Sequence, residues 1–291
     1  MAASKKVPHL SVDERRAQGK EARDRTPPSS HAGWAAAADR PDPVGLLEEQ
    51  NLTREPDLVP VRHGRMLVSP FTFYRGTAKI MAADLAGTPT AGLQVQLCGD
   101  AHLSNFGLFA SPERRLLFDL NDFDETLPGP FEYDVKRMAA SFTIAARNNG
   151  FTKADTRAAT LASVAAYREA MASFAAMGTL DIWYAHLAED ELLKGIQSAA
   201  AEASKASKKA AKAAKRAQKT AQRTAAKAHT RDSLQALSKL GERVDGQYQI
   251  GSEPPIIVPA RELEATDGVS AETLQGVIHK QYRAYRATLR D

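Results

Sequence analysis

Cysteine is almost missing from this chain. Cys98 is the only one among 291 residues, which excludes an intramolecular disulfide framework and any multi-cysteine zinc site and fits a reducing cytoplasm. Long apolar runs are missing too. The opening MAASKKVPHLSVDERR has no apolar signal core, and nowhere do about 18 apolar residues run together, so neither secretion nor a membrane span is expected. Acidic residues are absent between Glu202 and Asp232, where Lys and Arg abound, and the net charge of +4 is therefore concentrated rather than spread. What remains is an ordinary globular composition, 43% apolar and 25% charged, long enough for one large domain or two small ones.

From Met1 to about Val59 the chain is rich in Pro, Ala, Arg and Asp with no sustained periodicity, and TPPSSHAG reads as an open linker, so residues 1–58 are expected to form a poorly ordered leader. Order is expected from residue 59 to 291. Ile80, Met81 and Leu85 at helical spacing predict a short helix. The alternating run from Leu93 to Leu97 and the segments NFGLFA and RRLLFDL predict a strand followed by a hairpin. After Gly129 and Pro130 the period changes to 3.6, with Val135, Met138, Phe142 and Ala146 on one face of a helix stopping near Asn148–Gly150. A second long helix starts around Lys153. Trp183, Tyr184, Leu187, Leu192 and Leu193 mark an amphipathic third, and the Ala/Lys/Arg stretch predicts a basic helix over about 195–232. EPPIIVPA reads as strand-like, and Ile278, Tyr282 and Tyr285 lie on one face of a closing helix expected to pack against a partner surface. The fold class read from these elements is α+β: short strands with a hairpin, then a mostly helical remainder.

The densest cluster of reactive side chains is CGDAHLSNFGLF followed by LLFDLNDFDET, which places Asp100, His102, Asn105, Asp119, Asp122, Asp124 and Glu125 in loops at strand ends. Phosphoryl transfer asks little covalent chemistry of a protein. It needs a carboxylate to orient the attacking hydroxyl and oxygen ligands to hold magnesium against the phosphates. Asp100, Asn105 five residues later and an Asp across the hairpin can supply those parts, with His102 bracing the loop. The bland alternative is a solvated acidic turn capping the hairpin and the next helix. Arg75 in FYRG serves either as a phosphate or carboxylate clamp or as one half of a buried ion pair. Lys136 and Arg137 read as surface cations, and Cys98 as a small core residue.

GDAHLSN resembles the GDxHxxN catalytic loop of aminoglycoside phosphotransferases within the protein-kinase-like superfamily, and DFDETLPGPFEYDVKRMA is similar to the magnesium-binding segment and helix start that follow it. SPFTFYRG, QLCGDAHLSNFG, FDLNDFDETLPGP and DVKR together resemble an uncharacterised bacterial family, domain of unknown function 2252, from about Arg62 to the C-terminus. The resemblance implies a partial protein-kinase-like fold and a magnesium- and ATP-dependent small-molecule phosphotransferase acting on a small hydroxylated substrate. It implies Asp100 as base, with His102 and Arg75 beside it. Asn105 and Asp122 become metal ligands, with Asp119 as the alternative register, and Asp134 an anchor. No Gly-rich phosphate loop or lysine-bearing strand is found, and the family places such strands beyond the region ending at Asp291, so the resemblance implies a C-terminally truncated chain lacking a lobe. The rival expectation is a non-catalytic interaction protein or remnant. In that reading the acidic loops bind cations and the basic helix has weak, nonspecific affinity for anions.

Overall fold

The computed structural model describes residues 10–206, 208–230, 233–254, 257–259, 262 and 270–288. The chain divides into two compact units, Met1–Leu192 and Leu193–Asp291. The architecture is α+β, with small antiparallel sheets among helices.

The segment before Val59, where the sequence predicts no sustained element, carries helices α1 (Val12–Arg25) and α2 (Pro43–Asn51). Both begin on strong local signals. Ser11 and Glu14 form a reciprocal capping box, and Asp42 caps α2 with Pro43 in its first turn. Long-range bonds then tie the segment down. Arg25 Nη2 donates to the Ala91 carbonyl at 2.8 Å, Thr26 Oγ1 to the Thr90 carbonyl at 3.1 Å, and Arg40 pairs with Asp84 through both carboxylate oxygens. Periodicity was weak because α1 covers little apolar surface; only Ala22 on it is buried.

Three short helices follow, α3 (Val59–Met66), α4 (Pro70–Arg75) and α5 (Ala78–Leu85), the last at the predicted Ile80–Leu85 spacing. Strand β1 (Gln94–Leu97) does not join the hairpin of β2 (Phe106–Ala110) and β3 (Leu116–Leu120); it pairs antiparallel with β4 (Leu127–Pro130). The sequence LPGP serves as a strand because a two-stranded ribbon leaves one edge unpaired, where a proline needs no amide hydrogen. Helix α6 (Glu132–Asn148) packs along α7 (Lys153–Phe174), joined by a 2.7 Å bond between the Thr143 and Thr160 hydroxyls. The amphipathic third helix expected around Trp183–Leu193 is instead α8 (Thr179–Tyr184), a two-residue strand β5 (Leu187–Ala188) paired with β3, and the start of α9 (Glu189–Ala206). Pairing at the edge of β3 outweighs helical continuation there.

In the second unit the basic stretch is helix α10 (Lys208–His229). It is followed by α11 (Ser233–Leu240) and by a hairpin of β6 (Gly241–Val244) and β7 (Gln247–Ile250), turned by Asp245 and Gly246 at positive φ. In the strand-like EPPIIVPA segment Glu253 bridges Ile257, while residues 255, 256 and 260 lie outside the described residues. Helix α12 (Ala271–Thr288) forms as expected, with Ile278, Tyr282 and Tyr285 exposed on it.

Candidate functional site

The site is the loop between β1 and β2, and α6 shapes it. The chain leaves β1 through Gly99 at φ +87°, where a Cβ would lie 2.0 Å from the Glu125 carbonyl oxygen, so only glycine fits. Asp134, in the first turn of α6, accepts from the Cys98 amide at 2.7 Å and from the Gly99 amide at 3.1 Å. One full turn and more along the same stripe, Ser141 Oγ accepts the Leu103 amide at 3.0 Å and is completely buried. Between them stands Arg137. Its Nε and Nη2 reach Asp100 Oδ1 at 2.7 and 2.6 Å, Nη2 also donates to the Tyr74 carbonyl at 2.8 Å, and the guanidinium lies 4.0 Å over the Tyr74 ring. Tyr74 returns a bond from its hydroxyl to the Arg137 carbonyl at 2.9 Å.

Arg137 is therefore no surface cation: it is 2% exposed and is the ion-pair partner of the loop's central acid. Its position was legible in principle. Asp134, Arg137 and Ser141 recur at i, i+3 and i+7, a polar stripe one residue ahead of the apolar Val135, Met138 and Phe142, and both stripes face inward.

Asp100 is 6% exposed and His102 2%. The loop closes on itself, since the Asp100 carbonyl accepts from the His102 amide at 2.7 Å and from Asn105 Nδ2 at 2.8 Å. That bond accounts for the five-residue interval. His102 Nδ1 accepts the Ser104 amide at 3.2 Å, which puts the ring proton on Nε2, 3.6 Å from Asp100 Oδ2. Burial lowers the His102 pKa, Asp100 opposes the shift, and Arg137 and Arg75 reinforce it, so the ring is neutral at pH 7. Arg75 itself is exposed at the end of α4, not buried in an ion pair.

The second acidic loop lies within reach of the first. Glu125 has its pKa raised by burial and then by the charges of Asp100, Asp122 and Asp124. Arg62 feels both Glu125 and Asp100, although burial and Arg54 pull its pKa down. Asp122 Oδ1 accepts the Asp124 amide at 3.3 Å, and its carbonyl faces Cys98 Sγ. Asp119 is exposed on β3, its Oδ1 takes the Leu120 amide at 2.8 Å, and it lines a largely apolar cavity of about 570 Å³ with Cys98, Ala101, Phe106, Asp134 and Tyr167. Burial pushes the Cys98 thiol up to about 11, so it stays protonated and unreactive at neutral pH. A second cavity, about 300 Å³, opens against Gly99, Glu125 and Arg137 and is also lined by Lys79 and Tyr133.

The arrangement thus unites Asp100, His102 and Asn105, brings the charges of Asp100 and Asp122 together on Glu125 and Cys98, and leaves Asp119 exposed on β3 and Arg75 exposed at the end of α4. Among the described residues no three His, Cys, Asp or Glu side chains converge as a metal cluster. Asn105 and Asp122 offer oxygen donors only, and Asn105 spends its nitrogen on the Asp100 carbonyl, leaving Oδ1 for another partner. An oxygen set of this size suits magnesium, which keeps waters and takes one or two protein ligands alongside phosphates. A family model described as an uncharacterized protein conserved in bacteria, domain of unknown function 2252, matches residues 54–291. No curated protein and no solved structure matches the chain.

Proposed function

The chain belongs to this uncharacterised bacterial family, and from that premise we propose that the Asp100 loop is the acceptor-orienting part of a magnesium- and ATP-dependent phosphotransferase acting on a small hydroxylated molecule. The observation that carries the reading is the asymmetry of the Asp100 carboxylate. Oδ1 holds both Arg137 nitrogens, whereas Oδ2 turns toward neutral His102 at 3.6 Å, beyond hydrogen-bond length. A carboxylate anchored by one oxygen can orient an acceptor hydroxyl with the other and take its proton as the phosphorus–oxygen bond forms and the bond to the nucleoside diphosphate breaks. The loose transition state of phosphoryl transfer asks for this positioning more than for a strong base. His102 braces the loop through the Ser104 amide, and exposed Arg75 supplies a cation for phosphate oxygens.

Asn105 and Asp122 are the residues that would hold magnesium, which when bound neutralises the phosphate charge. Asp122 fits better than Asp119 because its charge acts on the Glu125 neighbourhood together with that of Asp100. The rival is a non-catalytic interaction protein, favoured by the burial of Asp100. Release of nucleoside diphosphate from magnesium ATP, measured over a panel of small polyols and amino alcohols, separates the two. The expected outcome is acceptor-stimulated turnover reduced at least about 100-fold in Asp100→Asn. Turnover equal in both proteins, or none with any acceptor, favours the rival.

A further inference from the structure

Helix α10 carries a feature that the Asp100 site does not use. At about 100° per residue, Lys212, Lys215, Arg216, Lys219, Arg223 and Lys227 fall within an arc of about 120° and run along about 22 Å of helix. All six are exposed. The opposite face is of another kind: Ala214, Gln218, Ala221, Ala225 and Ala228 are partly or fully covered, with Ala225 only 2% exposed. The helix is thus covered along its small-residue side and presents a continuous cationic side to solvent. The six lie within the stretch between Glu202 and Asp232 that holds no acidic residue, so no acid on α10 can pair with them.

We infer that this face binds the phosphate backbone of double-stranded nucleic acid, without regard to base sequence. A row of closely spaced cations displaces the condensed counterions of a duplex, and an α-helix matches the dimensions of its major groove. The composition of α10 argues against the other polyanionic surfaces. A helix that lies in a membrane interface needs bulky apolar residues opposite its basic face, and α10 has alanine and glutamine there. Single-strand recognition needs aromatic rings to stack on bases, and α10 has none.

The test is fluorescence anisotropy of the full chain with a short labelled DNA duplex between about 50 and 200 mM salt. Four proteins are compared: the native chain, the variant Lys212→Gln, Lys215→Gln, Lys219→Gln, Arg223→Gln, a matched-charge control with Arg15→Gln, Arg16→Gln, Lys20→Gln and Arg23→Gln on exposed positions of α1, and a charge-keeping arginine variant of α10. Glutamine keeps helix propensity. A third set, Lys212→Arg, Lys215→Arg and Lys219→Arg, retains the charge. The native chain, the α1 control and the arginine set are expected to bind with steep salt dependence. The glutamine variant of α10 should lose about 3 to 4 from the slope of log affinity against log salt. Equal weakening by the α1 control would overturn the inference, as would binding of the native chain that does not respond to salt. So would binding to phosphatidylserine vesicles without binding to the duplex.

Discussion

Arg137 and Asp100 form a buried pair whose members are 2% and 6% exposed, and Arg137 is also held by the Tyr74 carbonyl and the Tyr74 ring. Removing one partner of such a pair strands the other charge away from water. Arg137→Ala is therefore expected to destabilise the fold by about 3–5 kcal/mol, read from urea denaturation, with Arg137→Lys intermediate because an ammonium cannot reproduce the planar fork. A loss below about 1 kcal/mol would show that Asp100 finds water instead. His102 gives a pH signature. Its folded pKa lies below the unfolded value near 6.5, so the unfolded chain binds the proton more readily. Its contribution is complete above about pH 6.5 and is lost as pH falls through the folded pKa. Asp134 and Glu125 act in the other direction, since burial raises their folded pKa and their contribution fades as pH rises. The difference in Tm between the native chain and His102→Asn isolates the histidine. It should be largest near pH 7.5 and shrink at pH 5; a difference that grows on acidification would contradict the assignment.

At the scale of elements, α4 and α6 position the site more than the strands do. Helix α4 delivers Tyr74 and Arg75 and is only six residues long, so its start matters: Ser69 and Thr72 form a reciprocal capping box. Ser69→Ala should cost about 1 kcal/mol in denaturation midpoint experiments, with the tyrosine-to-Arg137 contact loosened first. The sequence made β1, β2, β3 and α6 legible because their apolar period was clean, and GDAHLSN drew attention to the right loop. It did not reveal that β1 pairs with β4, since LPGP carries no strand pattern, or that two residues at Leu187 and Ala188 would edge β3. Nor did it reveal the partner of Asp100. Arg137 belongs to a helix whose apolar face was obvious, and a cation beside that face reads as solvated until the loop that covers it is placed. The sequence favoured Asp122 over Asp119 as the metal-side acid through the resemblance alone, because only the hairpin register distinguishes an exposed residue of β3 from a loop residue whose charge acts on Glu125.

Across the whole chain, the family match from residue 54 to 291 covers the acidic loops of the first compact unit and the basic helix of the second. The two carry opposite charge and separate predictions: replacing α10 cations should leave the Asp100 chemistry alone, and altering Asp122 should leave duplex binding alone. We propose that the Asp100 loop and Asp122 together bind magnesium and nucleotide. Calorimetric titration of the full chain with magnesium ATP, beside Asp122→Ala, tests it most directly, because the Asp122 carboxylate accepts a local turn bond and its loss spares the buried pair. Saturable heat in the native chain, weakened at least about tenfold in the variant and absent when magnesium is chelated, is the expected result. No heat with the native chain, or the same affinity in Asp122→Ala, would contradict it.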